Sequence, residues 1–150
     1  MLRRNIRERN ILFLCDDNSA CSEMAEAIAK RLAPPQTKIF SACVTPSKIP
    51  PHVSSVLEEV GIKLSPQKPK TLTDVPLDEI DLVITLSPEM KERHPALSAN
   101  AKLIHWAIPD ARRASGGDAA MSAVYRYLRD EIDKRVAALF LDYWRNSNVA

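Results

Sequence analysis

An α/β domain built on a mainly parallel sheet is what this sequence predicts, on three observations. Short apolar runs of strand length alternate with segments of helical period. The clearest runs are continuous, as in strands buried on both faces. The 150 residues, 45% hydrophobic and 27% charged, have the length and composition of one globular domain. Such domains place their ligands beyond the carboxyl ends of the strands.

The elements follow in order. Met1 to Arg9 is a basic arm with four arginines, which reads as a solvated tail, and residues 10–150 form the single domain. Asn10-Ile-Leu-Phe-Leu-Cys15 is the first buried strand and ends in the polar turn Asp16 to Ser22. Met24, Ala27, Ile28, Arg31 and Leu32 recur at helical spacing until Pro34-Pro35 end the helix. Lys38–Cys43 is the second strand. Pro50-Pro51 open a helix that runs to about Val60 and closes on Gly61. Residues 62–80, with Pro66, Pro69 and Pro76, read mostly as loop. Asp81–Leu86 is a third buried strand, Ser87-Pro88-Glu89 caps and starts a short helix, and Lys102–Trp106 is a fourth strand. Met121, Val124/Tyr125, Leu128, Ile132, Val136, Leu139/Phe140 and Tyr143 form one apolar stripe on a long last helix.

Composition excludes several function classes. A net charge of +2 gives no electrostatic case for nucleic acid or an anionic membrane. No apolar run approaches the length of a membrane span, and the basic start lacks the apolar stretch of a signal peptide. Three cysteines without scaffold spacing suit a reducing, cytoplasmic compartment.

The chemistry concentrates in the turn after the first strand. A strand-to-helix loop aims backbone N–H groups at one point, and the helix dipole adds positive potential there. A cysteine at the strand end is then favoured as thiolate, so Cys15 sits in an anion cradle as a sulfur nucleophile.

The segment from Ile11 through Cys15 to Ser22 and on to Met24-Ala-Glu26 resembles the opening of low-molecular-weight protein tyrosine phosphatases and the related thioredoxin-coupled arsenate reductases. The likeness continues through Ser41-Ala42, Glu59–Ser65, Asp81–Leu86, His105-Trp106, Pro109-Asp110 and Arg129–Ile132, nearly all of residues 10–145. It implies a three-layer fold with a four-stranded parallel sheet ordered 2-1-3-4. It also implies roles: Cys15 as the attacking thiolate, Asn18 as the residue that shapes the loop, and Ser22 as the hydroxyl that steadies the Cys15 sulfur. Asp110 falls on the general acid. The oxyanion-binding loop is then Asp16, Asp17, Asn18, Ser19, Ala20, Cys21 and Ser22. The implied ligand is a phosphate- or arsenate-like oxyanion or a phosphorylated substrate, with no cofactor.

The sequence departs from that pattern in ways that matter. The family's loop arginine falls on Cys21, and a missing bidentate guanidinium is worth roughly 10³–10⁵ in rate, or about 4–7 kcal/mol. Asp16 and Asp17 add charge expected to repel a dianion and to raise the Cys15 pKa. Ala111 replaces the proline after Asp110, which is expected to relax that loop. Arg112 and Arg113 stand where phosphatases place aromatic rings, and read as solvated side chains or as a substitute cation. No cysteine follows the third strand, so the reductase relay cannot run in its usual form. The expectation is weak or absent phosphatase turnover.

Three readings of the cysteines stay open. Cys21 and Cys43 act as small apolar fillers, or Cys15 and Cys21 form a reversible disulfide served by a thiol redox partner. Alternatively, all three bind a soft ion, although their spacing matches no metal motif. His105 reads as packed and hydrogen-bonded. Tyr143 and Trp144, with Tyr125 and Tyr127 taken as partly exposed, offer core packing or a homodimer face.

Overall fold

The computed structural model describes residues 9–17, 19–64, 69–97, 99 and 101–147. Strands β1 (Arg9–Cys15), β2 (Thr37–Cys43), β3 (Leu82–Thr85) and β4 (Lys102–His105) form one parallel sheet in the order β2-β1-β3-β4. Helix α1 (Ser19–Leu32) joins β1 to β2. Then come α2 (Pro51–Glu58), α3 (Pro88–Arg93) and α4 (Asp118–Ser147). The 62–80 stretch, expected mostly as loop, carries two short 3-10 turns at Leu72–Asp74 and Leu77–Glu79.

The continuous apolar run of β1 is explained by burial on both sides. Ile11, Phe13 and Cys15 enter one core cluster, while Leu12 and Leu14 enter the other. The first cluster is closed by Met24 and Ile28 of α1, Val56 and Leu57 of α2, and Leu128 and Ile132 of α4. The second is closed by Val75, Ile80 and Met90. On α4 the buried apolar residues are Tyr125, Leu128, Ile132, Val136 and Phe140, the centre of the stripe expected from the spacing, with Met121, Val124 and Leu139 partly buried beside them. Tyr125 is 3% exposed, which corrects its reading as partly exposed and agrees with its place in the stripe, and Tyr127 alone of that pair faces solvent. The Tyr143 and Trp144 side chains lie outside the described residues.

Helix ends follow local chemistry. Gly61 takes φ +79°, and its N–H donates to Glu58 O at 3.0 Å while Ile62 N–H donates to Leu57 O at 2.9 Å. Arg129 of α4 donates to Val56 O (2.7 Å) and Glu59 Oε1 (2.8 Å), fastening the end of α2 to α4. Strand order reverses between β1 and β3, since β1 leads to β2 on one side and β3 lies on the other. Their carboxyl ends therefore frame the crevice where such sheets bind ligands.

Candidate active site

Cys15 ends β1 at that crevice and is 1% exposed. A cleft of about 610 Å³ opens above it, walled by Cys15, Asp17, Cys21, Asp110 and Arg112 among others. Asp16 also lines it. Ser19, Ala20 and Ser22 are buried in the first turn of α1 and are not part of that wall. Asn18 lies outside the described residues.

Two loop amides expected to face an oxyanion have side-chain acceptors instead. Asp16 N–H donates to Ser87 Oγ (3.2 Å) and Ser19 N–H to Ser47 Oγ (3.2 Å). Ser47 N–H in turn donates to Ser19 Oγ at 2.8 Å. Ser87, expected to cap α3 through its hydroxyl, makes no such cap and braces the loop.

The thiols meet below the cleft. Cys15 is in hydrogen-bonding contact with both Cys21 and Cys43. Those contacts, with burial, push its thiol well above the ordinary range. Asp17 is already matched by Arg112, whose Nη2 lies 2.7 Å from Asp17 Oδ1. Cys43 moves the other way, to about 7, chiefly because Cys15 donates to its sulfur, with Ser22 and Ser19 hydroxyls adding to the effect against burial. Ser22 Oγ is 3.3 Å and Ser19 Oγ 3.5 Å from Cys43 Sγ. Ser22, assigned by resemblance to steady Cys15, thus meets Cys43. Among the described residues no cluster of His, Cys, Asp or Glu is arranged to hold a metal ion.

Asp110 is held as a carboxylate. Arg112 donates to it from Nε (3.0 Å), Nη2 (2.7 Å) and its backbone N–H (3.0 Å), which lowers its pKa. The Asp110 loop is therefore braced where Ala111 had suggested relaxation, and Arg112 is engaged where a solvated side chain was one expectation. His105 Nδ1 lies 2.8 Å from Thr85 Oγ1, the packed histidine expected.

One cluster escaped the sequence reading. Glu23 and Glu26, 2% and 6% exposed, share the Ser41 hydroxyl (2.6 and 2.9 Å) and the Lys70 ammonium (2.7 and 3.0 Å). Burial pulls the Lys70 pKa down, and the two carboxylates outweigh it to leave it raised. Glu23 also faces Cys43, where its charge opposes ionisation. The available signal was two acids at i and i+3 beside Met24 on an otherwise apolar helix face.

The family model for low molecular weight phosphotyrosine protein phosphatase matches residues 10–148. The chain belongs to that family. Within it, an arsenate reductase from Halalkalibacterium halodurans is 34% identical over 131 residues, covering 87% of this chain and 94% of the relative. A solved arsenate reductase in its oxidized state superposes with TM-score 0.74 at 26% identity, covering 89% of this chain and 98% of the other. The arsenate reductase from Archaeoglobus fulgidus gives 0.68 at 32%, covering 86% and 97%. The phosphatase-family fold is thus present with three thiols at its active-site end.

Proposed function

We propose that this chain performs thiol-dependent reduction of an arsenate-like oxyanion, with Cys15 as the attacking sulfur. The observation that carries this reading is the contact of Cys15 with two further thiols at the floor of the cleft. Phosphate-ester hydrolysis needs a loop guanidinium, which Cys21 replaces, and a protonated acid for the leaving group. Arg112 holds Asp110 ionised instead. Reduction needs two sulfurs within reach of one another. The names of the similar proteins support the same branch.

The chemistry balances on this chain's groups. Cys15 keeps its proton until attack; its sulfur bonds to arsenic(V) and the displaced hydroxyl leaves as water with that proton. A second thiol then attacks the Cys15 sulfur. The S–S bond forms, the S–As bond breaks, and its electron pair leaves with arsenic(III); the second thiol's proton goes to an arsenite oxygen. Two sulfurs are oxidised as arsenic gains two electrons. An external dithiol protein of thioredoxin type restores both thiols, a requirement that a reducing cytoplasm would meet. Arg113 also lines the cleft and brings positive charge to it, while the charge of Arg112 is taken up by Asp17 and Asp110.

The test pairs two assays. Arsenate should drive NADPH oxidation through thioredoxin and its reductase with wild type and not with Cys15→Ser. Hydrolysis of p-nitrophenyl phosphate should stay at the Cys15→Ser blank and rise in Cys21→Arg. Wild-type hydrolysis well above the blank, with no arsenate-dependent oxidation, would overturn the reading.

A further inference from the structure

We infer that Cys43 is the resolving thiol of this site, closing a Cys15–Cys43 disulfide across the carboxyl ends of β1 and β2. The inference rests on the reductive reading above and names the sulfur that completes it.

Backbone geometry permits the bond. Cys15 and Cys43 are register partners on adjacent parallel strands. Neighbouring strands lie about 4.8 Å apart, and disulfides span Cα separations of roughly 4.4–6.8 Å. Both residues are also held in place. Cys43 N–H donates to Lys70 O at 2.9 Å, and Val44 N–H donates to Cys15 O at 3.2 Å. A Cys15–Cys21 bond would instead link a strand end to a helix turn across the loop.

Position favours Cys43 as the attacking group. Displacement at sulfur runs in line, with nucleophile and leaving group on opposite sides. Cys15 and Cys21 line the cleft, where arsenic leaves, whereas Cys43 is not among the lining residues and meets Cys15 outside that wall. Its sulfur is prepared for the attack by the Ser22 and Ser19 hydroxyls at 3.3 and 3.5 Å. With Cys15 bonded to arsenic its thiol no longer donates to Cys43; the two hydroxyls are the donors left to favour the Cys43 thiolate, whose proton passes to an arsenite oxygen. The step forms Cys43 Sγ–Cys15 Sγ and breaks Cys15 Sγ–As, leaving arsenic(III) with the electron pair.

Tryptic mapping under non-reducing conditions reads the pairing directly. Cys15 and Cys21 share the peptide 10–30, and Cys43 lies in 39–48. Full-length wild type and Cys21→Ser, oxidised by stoichiometric diamide or by arsenate without a reducing partner, should cross-link the two peptides. Cys43→Ser should not, and its arsenate turnover should fall to the Cys15→Ser background. A two-proton loss confined to 10–30 in wild type would overturn the inference. Arsenate turnover by Cys43→Ser at the wild-type rate would do the same while leaving the reductase reading intact. A diamide cross-link retained in Cys21→Ser, with no arsenate-dependent disulfide, would support the pairing and remove arsenate as substrate. The mapping of wild type and Cys21→Ser decides the pairing even where Cys43→Ser fails to fold.

Discussion

Cys43 shows how one residue's chemistry depends on what folding brings beside it. An isolated thiol at that position would titrate well above neutrality; hydrogen bonds from Cys15, Ser22 and Ser19 bring it to about 7. Thiolate absorbance near 240 nm should therefore show a step around pH 7 in wild type. Cys43→Ser should abolish that step and Ser22→Ala should move it upward; an unchanged step in Cys43→Ser would place the low-pKa thiol elsewhere. The linked stability has a definite sign. Because the folded-state value lies below the unfolded one, this stabilisation is present above the unfolded thiol pKa and is lost as pH falls through about 7.

At the scale of elements, α1 and β2 are joined by polar contacts as well as apolar ones. Glu23 and Glu26 point from the helix to Ser41 on the strand, and Lys70 supplies the counter-charge. Removing that cation takes the nearest counter-charge from both buried carboxylates and leaves Glu26 with Lys30 at 3.4 Å. Lys70→Met should destabilise the fold by about 3–5 kcal/mol in urea unfolding, and adding Glu23→Gln and Glu26→Gln should recover much of it. A loss below about 1 kcal/mol would show that the pair is accommodated by other means. The same cluster bears on the site, since Glu23 opposes ionisation of Cys43.

The whole molecule is organised around a sheet with a core cluster on each face, and the larger cluster joins α1, α2 and α4 to it. Ile132 is fully buried there. Ile132→Ala should cost about 2–5 kcal/mol, the usual range for a large-to-small core change. In a Trp144→Phe background, far-UV circular dichroism and Trp106 fluorescence should lose signal together, because α4 and the sheet share that core. Separate transitions would mean that the long helix is anchored independently of the sheet.

Much was legible before folding was considered. The strands and helices announce themselves because burial on two faces demands continuous apolar runs, and burial on one face demands a 3.6-residue stripe. The Cys15 loop could be read because a nucleophile at a strand end before a helix is a local arrangement. Arg112 and Cys43 could not be assigned that way. The partner of Arg112 at Asp17 is 95 residues away, and the Ser22–Cys43 contact spans 21. Lys70, likewise, meets Glu23 across 47 residues. Local periodicity marked the strands and helices, and the resemblance carried by the Cys15 segment pointed to the family and the sheet order. Tertiary packing alone decided which thiol ionises and which acid stays charged, because both depend on neighbours that the chain supplies from distant segments.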